Sequence, residues 1–238
     1  MENKFCFITC VNDKELYKES LLYIKQLSIP DGFSIECLAV GNAHAMTAGY
    51  NEAMKKSDAV YKIYLHQDVY ILNKRFLFDL LEIFTGDKSV GMIGMAGSAY
   101  IPDHGVWWES GKTLGCAYNS LTRITKLTSY EEEHISANRE VCLIDGLLIA
   151  TQYDLPWRED LFDGWHFYDV SQCCEFLRKK YKIIVPNQYN SDGIANPWCL
   201  HYIEKAVSTA NYDNYRNIFF KEYQDLFNDN GFAVTVPI

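Results

Sequence analysis

Along residues 1–96 two kinds of apolar run take turns. The stretch "KFCFITCV" (4–11) is apolar nearly throughout, as a strand is when helices cover both faces of its sheet. Leu16, Leu21, Ile24 and Leu27 then recur at helical spacing, and Asn12 with Glu15 forms a capping-box pattern at the start of that helix. The turn Pro30-Asp31-Gly32 ends it. "FSIECLAV" (33–40) reads as a strand, "AMTAGYNEAMKKS" (45–57) as a helix with small residues on one side, and "AVYKIYL" (59–65) as a third segment of strand type. Asn73 is placed to cap the helix "KRFLFDLLEIF", which stops at Gly86, and "VGMIGM" (90–95) supplies another strand. This β-α-β-α-β order predicts a parallel sheet with right-handed crossovers.

From Ala99 the pattern loosens into Gly, Trp and Tyr. "REVCLIDGLLIAT" (139–151) is the clearest later strand, and "HFYDVSQCCEFLRKKY" (166–181) predicts a helix ahead of the strand "KIIVP" (182–186). Tyr212, Tyr215, Phe219, Tyr223 and Leu226 mark a last amphipathic helix, with Asn228–Ile238 as a tail. A chain of 238 residues without a clean linker predicts one domain. Its parts are a ligand-binding half (1–98), a second half (99–206), and a C-terminal helix with its tail (207–238).

Composition narrows the function. A net charge of -9 argues against the clustered basic footprint of a nucleic-acid binder. Eight cysteines without a C-x-x-C pair signal neither a zinc framework nor a disulfide scaffold, so reduced thiols are expected. The N-terminus has no apolar core of signal-peptide type, and no run reaches the roughly 18 apolar residues of a membrane span. A soluble cytoplasmic protein is expected, with oligomerisation left open.

Val11, Asn12, Asn42 and His66-Gln67-Asp68 all fall at the carboxyl ends of predicted strands, where open α/β sheets bind ligands. Neither G-x-G-x-x-G nor G-x-x-x-x-G-K-[ST] is present to cradle a phosphate. A diphosphate would therefore need a divalent cation, Mg²⁺ or Mn²⁺, held by a strand-end carboxylate such as Asp68. Asp163 and Asp169 flank a helix start, where capping is the plain alternative to chemistry. Trp107 and Trp108 in "DHGVWWESG", and Trp165 in "GWHFY", offer ring faces that match pyranose C–H surfaces; cover for a long loop is the other role open to the first two. His201 in "NPWCLHYIE" has packing beside Trp198 and Tyr202 as its plain alternative.

"AGYNEAMKKSDAVYKIYLHQDVYI" (48–71) resembles GT-A fold glycosyltransferases, in particular the family-2-like bacterial enzymes, in which an Asn in a small-residue helix precedes a strand ending in a D-x-D metal motif. Asn51 takes the Asn position, Asp68 the second acid, and His66 stands where the first Asp would be. "AVGN", ending at Asn42, replaces the usual Asp-Asp-Gly-Ser. "LFDGWHFYDVSQCCEFLRKKYKIIVP" (161–186) resembles the second signature, with Tyr168 at its Glu and Asp169 at its Asp. The likeness covers roughly residues 4–187.

The resemblance implies a GT-A type α/β fold, a mostly parallel twisted central sheet flanked by helices. It implies a nucleotide-diphospho-sugar donor, a UDP-sugar in particular, bound by Val11, Asn12, Asn42, Asn51, Gln67 and Asp68. It further implies a divalent cation, Mn²⁺ or Mg²⁺, on Asp68, His66 and His201. Asp169 becomes the general base of inverting transfer, with Asp163 as its neighbouring alternative. Gly146, Trp107, Trp108 and Trp165 fall on the side of a glycan or other hydroxyl acceptor. Two rivals stay open: a protein that keeps the fold and binds nucleotide or glycan without turnover, and a metal-dependent hydrolase using His66, Asp68 and His201. The hydrolase lacks any H-E-x-x-H spacing to support it.

Overall fold

A computed structural model describes residues 3–102, 104–121, 124–130, 137–203 and 209–227. Strand β1 (Lys4–Val11) pairs in parallel with β2 (Ser34–Gly41) on one side and β3 (Tyr61–Leu65) on the other, with helices α1 (Lys14–Ile24) and α2 (Met46–Lys56) as the crossovers. Asp13 caps α1 in place of Asn12: its carboxylate accepts from the N–H groups of Glu15 and Leu16. The helix begins one residue later than the pattern suggests, which releases Asn12 for another contact. After β4 (Val69–Ile71), Asn73 accepts from the Arg75 N–H and donates to Asp79 just ahead of α3 (Phe76–Gly86), although Arg75 itself occupies the cap position. β5 (Val90–Gly94) follows.

The later part forms β6 (Ala96–Ser98), β7 (Thr113–Leu121), β8 (Ile124–Ser129), β9 (Arg139–Val141), β10 (Leu143–Ile144) and β11 (Leu148–Thr151). It continues with α4 (Tyr168–Arg178), β12 (Lys182–Val185), β13 (Cys199–Ile203), α5 (Tyr212–Glu222) and the short α6 (Gln224–Phe227). The segment 139–151 is thus three strands instead of one. Cys142 leaves the run to donate to the Ser98 carbonyl, and Asp145 closes a turn by accepting from the Leu147 N–H.

The central sheet has the order β2-β1-β3-β11-β5-β12-β9. It is mixed where a mostly parallel sheet was expected: β11 runs against both β3 and β5, and β9 against β12. The cause is local, because β11 enters from the tight turn at Asp145–Leu147 and has no helical crossover to reverse its direction. A second sheet, β10-β6-β7-β13-β4 with β8 beside β7, joins strands of the region of loosened pattern to β4 and β6 from before it.

Alternation along β1 and β3 divides the core. Phe5, Phe7, Ile63 and Leu65 meet Phe76, Leu80 and Phe84 of α3, while Cys6, Ile8 and Tyr64 meet Tyr50 of α2 and Phe176 of α4. Tyr215, Phe219 and Tyr223 of α5 and the residue after it join the second cluster, as the amphipathic spacing requires. Residues 228–238, read as a tail, lie outside the described residues. All eight cysteines are free thiols. Among the described residues no helix is long and apolar enough to cross a membrane.

Candidate active site

β3 ends at Leu65, and the next three residues turn back toward β4. Gln67 locks this turn to the end of β1: its Oε1 accepts from the N–H groups of Asn12 and Asp13 at 2.9 and 2.8 Å, and its Nε2 donates to Asn12 Oδ1 at 2.6 Å. On the opposite side the His66 N–H donates to the Leu147 carbonyl, which brings the Asp145–Leu147 turn against it.

β13 pairs antiparallel with β4 in a register that sets His201 opposite Val69, and the Tyr202 N–H donates to the Asp68 carbonyl. This register places His201 beside the turn. One ligand atom from each of His66, Asp68 and His201 lies within 4.8 Å of the others, and His201 Nε2 is 3.5 Å from Asp68 Oδ1. Burial, and after it the proximity of His201, hold the His66 imidazole below its ordinary range. Burial also opposes charge on Asp68, but the bond to His201 and the proximity of both imidazoles outweigh it and keep the carboxyl below its usual range. A neutral imidazole and an ionised carboxylate are the states that metal ligation requires. Two nitrogens and one oxygen converging in this way suit Mn²⁺ better than Mg²⁺, which favours oxygen.

The other wall is the start of α4. Phe167, directly before it, has φ 60° in the left-handed region, a conformation that costs on the order of 1–3 kcal/mol in a residue other than glycine. Contacts of its ring with Tyr212 and Phe219 hold it there. The bend presents Tyr168 and Asp169 to the Gly146 turn. Tyr168 Oη lies 2.6 Å from His66 Nε2, and Asp169 Oδ2 accepts from the Gly146 N–H at 2.9 Å. Burial first, and then the charge of Asp145, push the Asp169 carboxyl up to about 7, against the stabilising backbone N–H groups. A carboxylate poised near neutral pH is suited to taking a proton.

A family model described as "Glycosyltransferase like family" matches residues 6–223. The chain belongs to this glycosyltransferase-like family. Solved structures share its fold. The complex of S. aureus TarS residues 1–349 with UDP-GlcNAc superposes with a TM-score of 0.60 at 11% identity, over 97% of this chain and 68% of that one. The same TarS fragment with UDP gives a TM-score of 0.58 at 13% identity, over 95% of this chain and 66% of that one. The mannosyltransferase PcManGT from Pyrobaculum calidifontis, in complex with GDP-Man and Mn²⁺, gives 0.52 at 13% identity, over 94% of this chain and 64% of that one. The chain therefore spans about two thirds of the length of these solved chains. No curated protein matches it.

In this glycosyltransferase-like chain the residues singled out by sequence divide into three groups. His66, Asp68, His201, Gly146 and Asp169 converge at one junction, bordered by Gln67 and Asn12. Val11, half-buried, and Asn42, exposed with φ 58°, end β1 and β2 at the same edge of the sheet. The remainder differ in burial and in the partners they hold. Asn51 is buried and spends both ends of its amide on the Trp157 backbone, at 2.8 Å each, a clamp between α2 and the segment before α4. Asp163 is exposed and accepts from the Tyr215 hydroxyl, anchoring α5. Trp107 is 2% exposed and packs on Tyr130, whereas Trp108 and Trp165 are 51% and 43% exposed. Of the Trp107–Trp108 pair, only Trp108 has a ring free to meet a ligand. Tyr168 and Asp145 were missed as site residues; the Asp-Gly dipeptide at 145–146 was the available signal of a turn there.

Proposed function

We propose that this chain transfers a sugar from a nucleotide-diphosphate donor, of the UDP-sugar class, to a hydroxyl of a glycan or similar acceptor, with inversion. One observation carries this reading: the His66–Asp68–His201 cluster and Asp169 both border the same Asp145–Leu147 turn. Donor activation and proton removal can then proceed side by side.

His66, Asp68 and His201 would hold Mn²⁺ or Mg²⁺. When bound, such a cation supplies positive charge to the donor diphosphate and to the negative charge that builds on the departing nucleotide. Gln67 holds the ends of β1 and β3 together, so that Val11, Asn12 and Asn42 form a fixed rim for the nucleotide. Asp169 accepts the acceptor's hydroxyl proton on the oxygen not held by Gly146, as that hydroxyl attacks the anomeric carbon from the face opposite the leaving group. Trp108 and Trp165 offer ring faces to the acceptor. Support comes from the neighbours of like fold, TarS bound to UDP and UDP-GlcNAc and PcManGT bound to GDP-Man and Mn²⁺.

Thermal unfolding with UDP- and GDP-sugars, with Mn²⁺ or with chelator, tests the donor and the cation together, because a ligand that binds only the folded state raises its stability. The expected result is stabilisation by a UDP-sugar that needs Mn²⁺ and is lost in Asp68→Asn. Equal stabilisation in chelator contradicts the cation bridge. No stabilisation by any nucleotide-sugar contradicts the donor class.

A further inference from the structure

Two consecutive side chains of α4 grip the Gly146 turn. Asp169 takes its N–H, while the Tyr168 hydroxyl passes over its Cα side to reach His66 Nε2 at 2.6 Å. A Cβ on residue 146 would lie 2.1 Å from that hydroxyl and 2.6 Å from Tyr168 Cζ. Real Cβ atoms do not approach so closely, so glycine at 146 is a condition for the Tyr168–His66 bond. The Tyr168 ring is itself fixed, buried with its edge toward Tyr50 and tilted against Trp157. In the resembled signature a Glu stands at this position, where this chain places a tyrosine hydroxyl on His66.

We propose that Tyr168 is a positioning residue that fixes the ring orientation and tautomer of His66, and so ties the cation cluster to the helix that carries Asp169. This rests on the reading of His66, Asp68 and His201 as a cation site. Because Nε2 is engaged by Tyr168, the lone pair His66 offers to a cation is that of Nδ1, with Nε2–H donating to the phenol oxygen. A hydrogen bond to the second nitrogen of a ligating imidazole fixes its tautomer and raises its basicity, and removing such a partner typically weakens metal affinity about 10–100-fold. Tyr168 also transmits position in the other direction. A ring held by the cluster holds the first turn of α4, and Asp169 is the next residue.

The test is Tyr168→Phe, which removes only the hydroxyl, read in two independent ways. Manganese binding followed by the electron paramagnetic resonance of free Mn²⁺ is expected to weaken about 10–100-fold. Long-range ¹H–¹⁵N correlation of ¹⁵N-histidine protein without metal is expected to show one dominant His66 tautomer in the unaltered protein and an averaged ring in Tyr168→Phe. Gly146→Ala, which displaces the hydroxyl without removing it, is expected to reproduce both changes. Tyr168→Phe should also add nothing to the Mn²⁺ affinity lost in His66→Ala, since coupled residues are not additive. A folded Tyr168→Phe protein with unchanged Mn²⁺ affinity and an unchanged His66 tautomer overturns the proposal. If the unaltered protein binds no Mn²⁺, the cation reading fails, and the tautomer spectra alone decide whether Tyr168 positions the ring.

Discussion

The Gly146 N–H donates to Asp169 Oδ2 at 2.9 Å, while the burial of the site and, after it, the charge of Asp145 push that carboxyl up to about 7. A base of this kind is half-ionised near neutrality. Transfer, measured as kcat/KM against pH, is therefore expected to climb through about pH 7 and level off above it, as Asp169 loses its proton. Asp169→Asn should leave donor affinity near normal and lower transfer by roughly 10²-fold or more. Asp163→Asn serves as the control, because that carboxylate anchors α5 through Tyr215.

The same shift has a consequence for stability. A carboxyl whose folded pKa is raised favours the folded state below its unfolded pKa of about 3.9, and that contribution is lost as pH rises through about 7. Asp169→Asn mimics the protonated form at every pH. The variant should melt higher than the unaltered protein at pH 8, by an amount on the order of a few kcal/mol at most. The gap should narrow on acidification and close below about pH 4, which a pair of melting curves across that range would show.

Asn51 clamps the backbone of Trp157, a residue only 2% exposed, through two hydrogen bonds. Asn51→Ala leaves the buried Trp157 N–H unpaired, at a cost of about 1–3 kcal/mol, while the Trp157 C=O keeps its bond from the Glu159 N–H. Urea unfolding should report a lower midpoint. Donor affinity of the molecules that remain folded should stay unchanged, and a large loss of donor affinity at constant stability would restore a binding role to Asn51.

The three tryptophans should separate by exposure. Trp108→Ala and Trp165→Ala, at 51% and 43% exposed, are expected to raise KM for acceptor with little effect on melting. Trp107→Ala removes a buried ring packed on Tyr130 and should instead lower stability by about 3–5 kcal/mol. Steady-state kinetics at saturating donor, beside thermal melts, distinguish the two patterns.

Legibility in the sequence followed the strength of the local signal. β1, β2, β3, α2, α3 and α4 are long periodic or fully apolar runs, and they lie close to where the pattern placed them. Much of the second sheet escaped because β4, β6 and β10 are only two or three residues long, as in the "AGS" of β6, and because pairs such as β13–β7 are distant in sequence. The antiparallel entry of β11 escaped for a different reason: the apolar runs 141–144 and 147–150 read as one strand across the Asp145-Gly146 turn between them. At the site, position along strands picked out His66, Gln67 and Asp68, whereas the place of His201 depends on the β13–β4 register, which no local pattern encodes. Tyr168 looked like a departure from a signature. Only the space over Gly146 gives it a partner.

The central claim is that the cluster at the end of β3 serves sugar transfer from a nucleotide donor. Its most direct test follows nucleotide release and glycan product together, using a panel of UDP- and GDP-sugars with neutral glycan acceptors and Mn²⁺, for the unaltered protein, Asp68→Asn and Asp169→Asn. The expected result is acceptor-dependent transfer from one donor, with product of inverted anomeric configuration, lost in chelator and in both variants. Tight, Mn²⁺-dependent nucleotide binding with no product from any donor and acceptor would contradict it, and would leave a binding protein built on a glycosyltransferase fold.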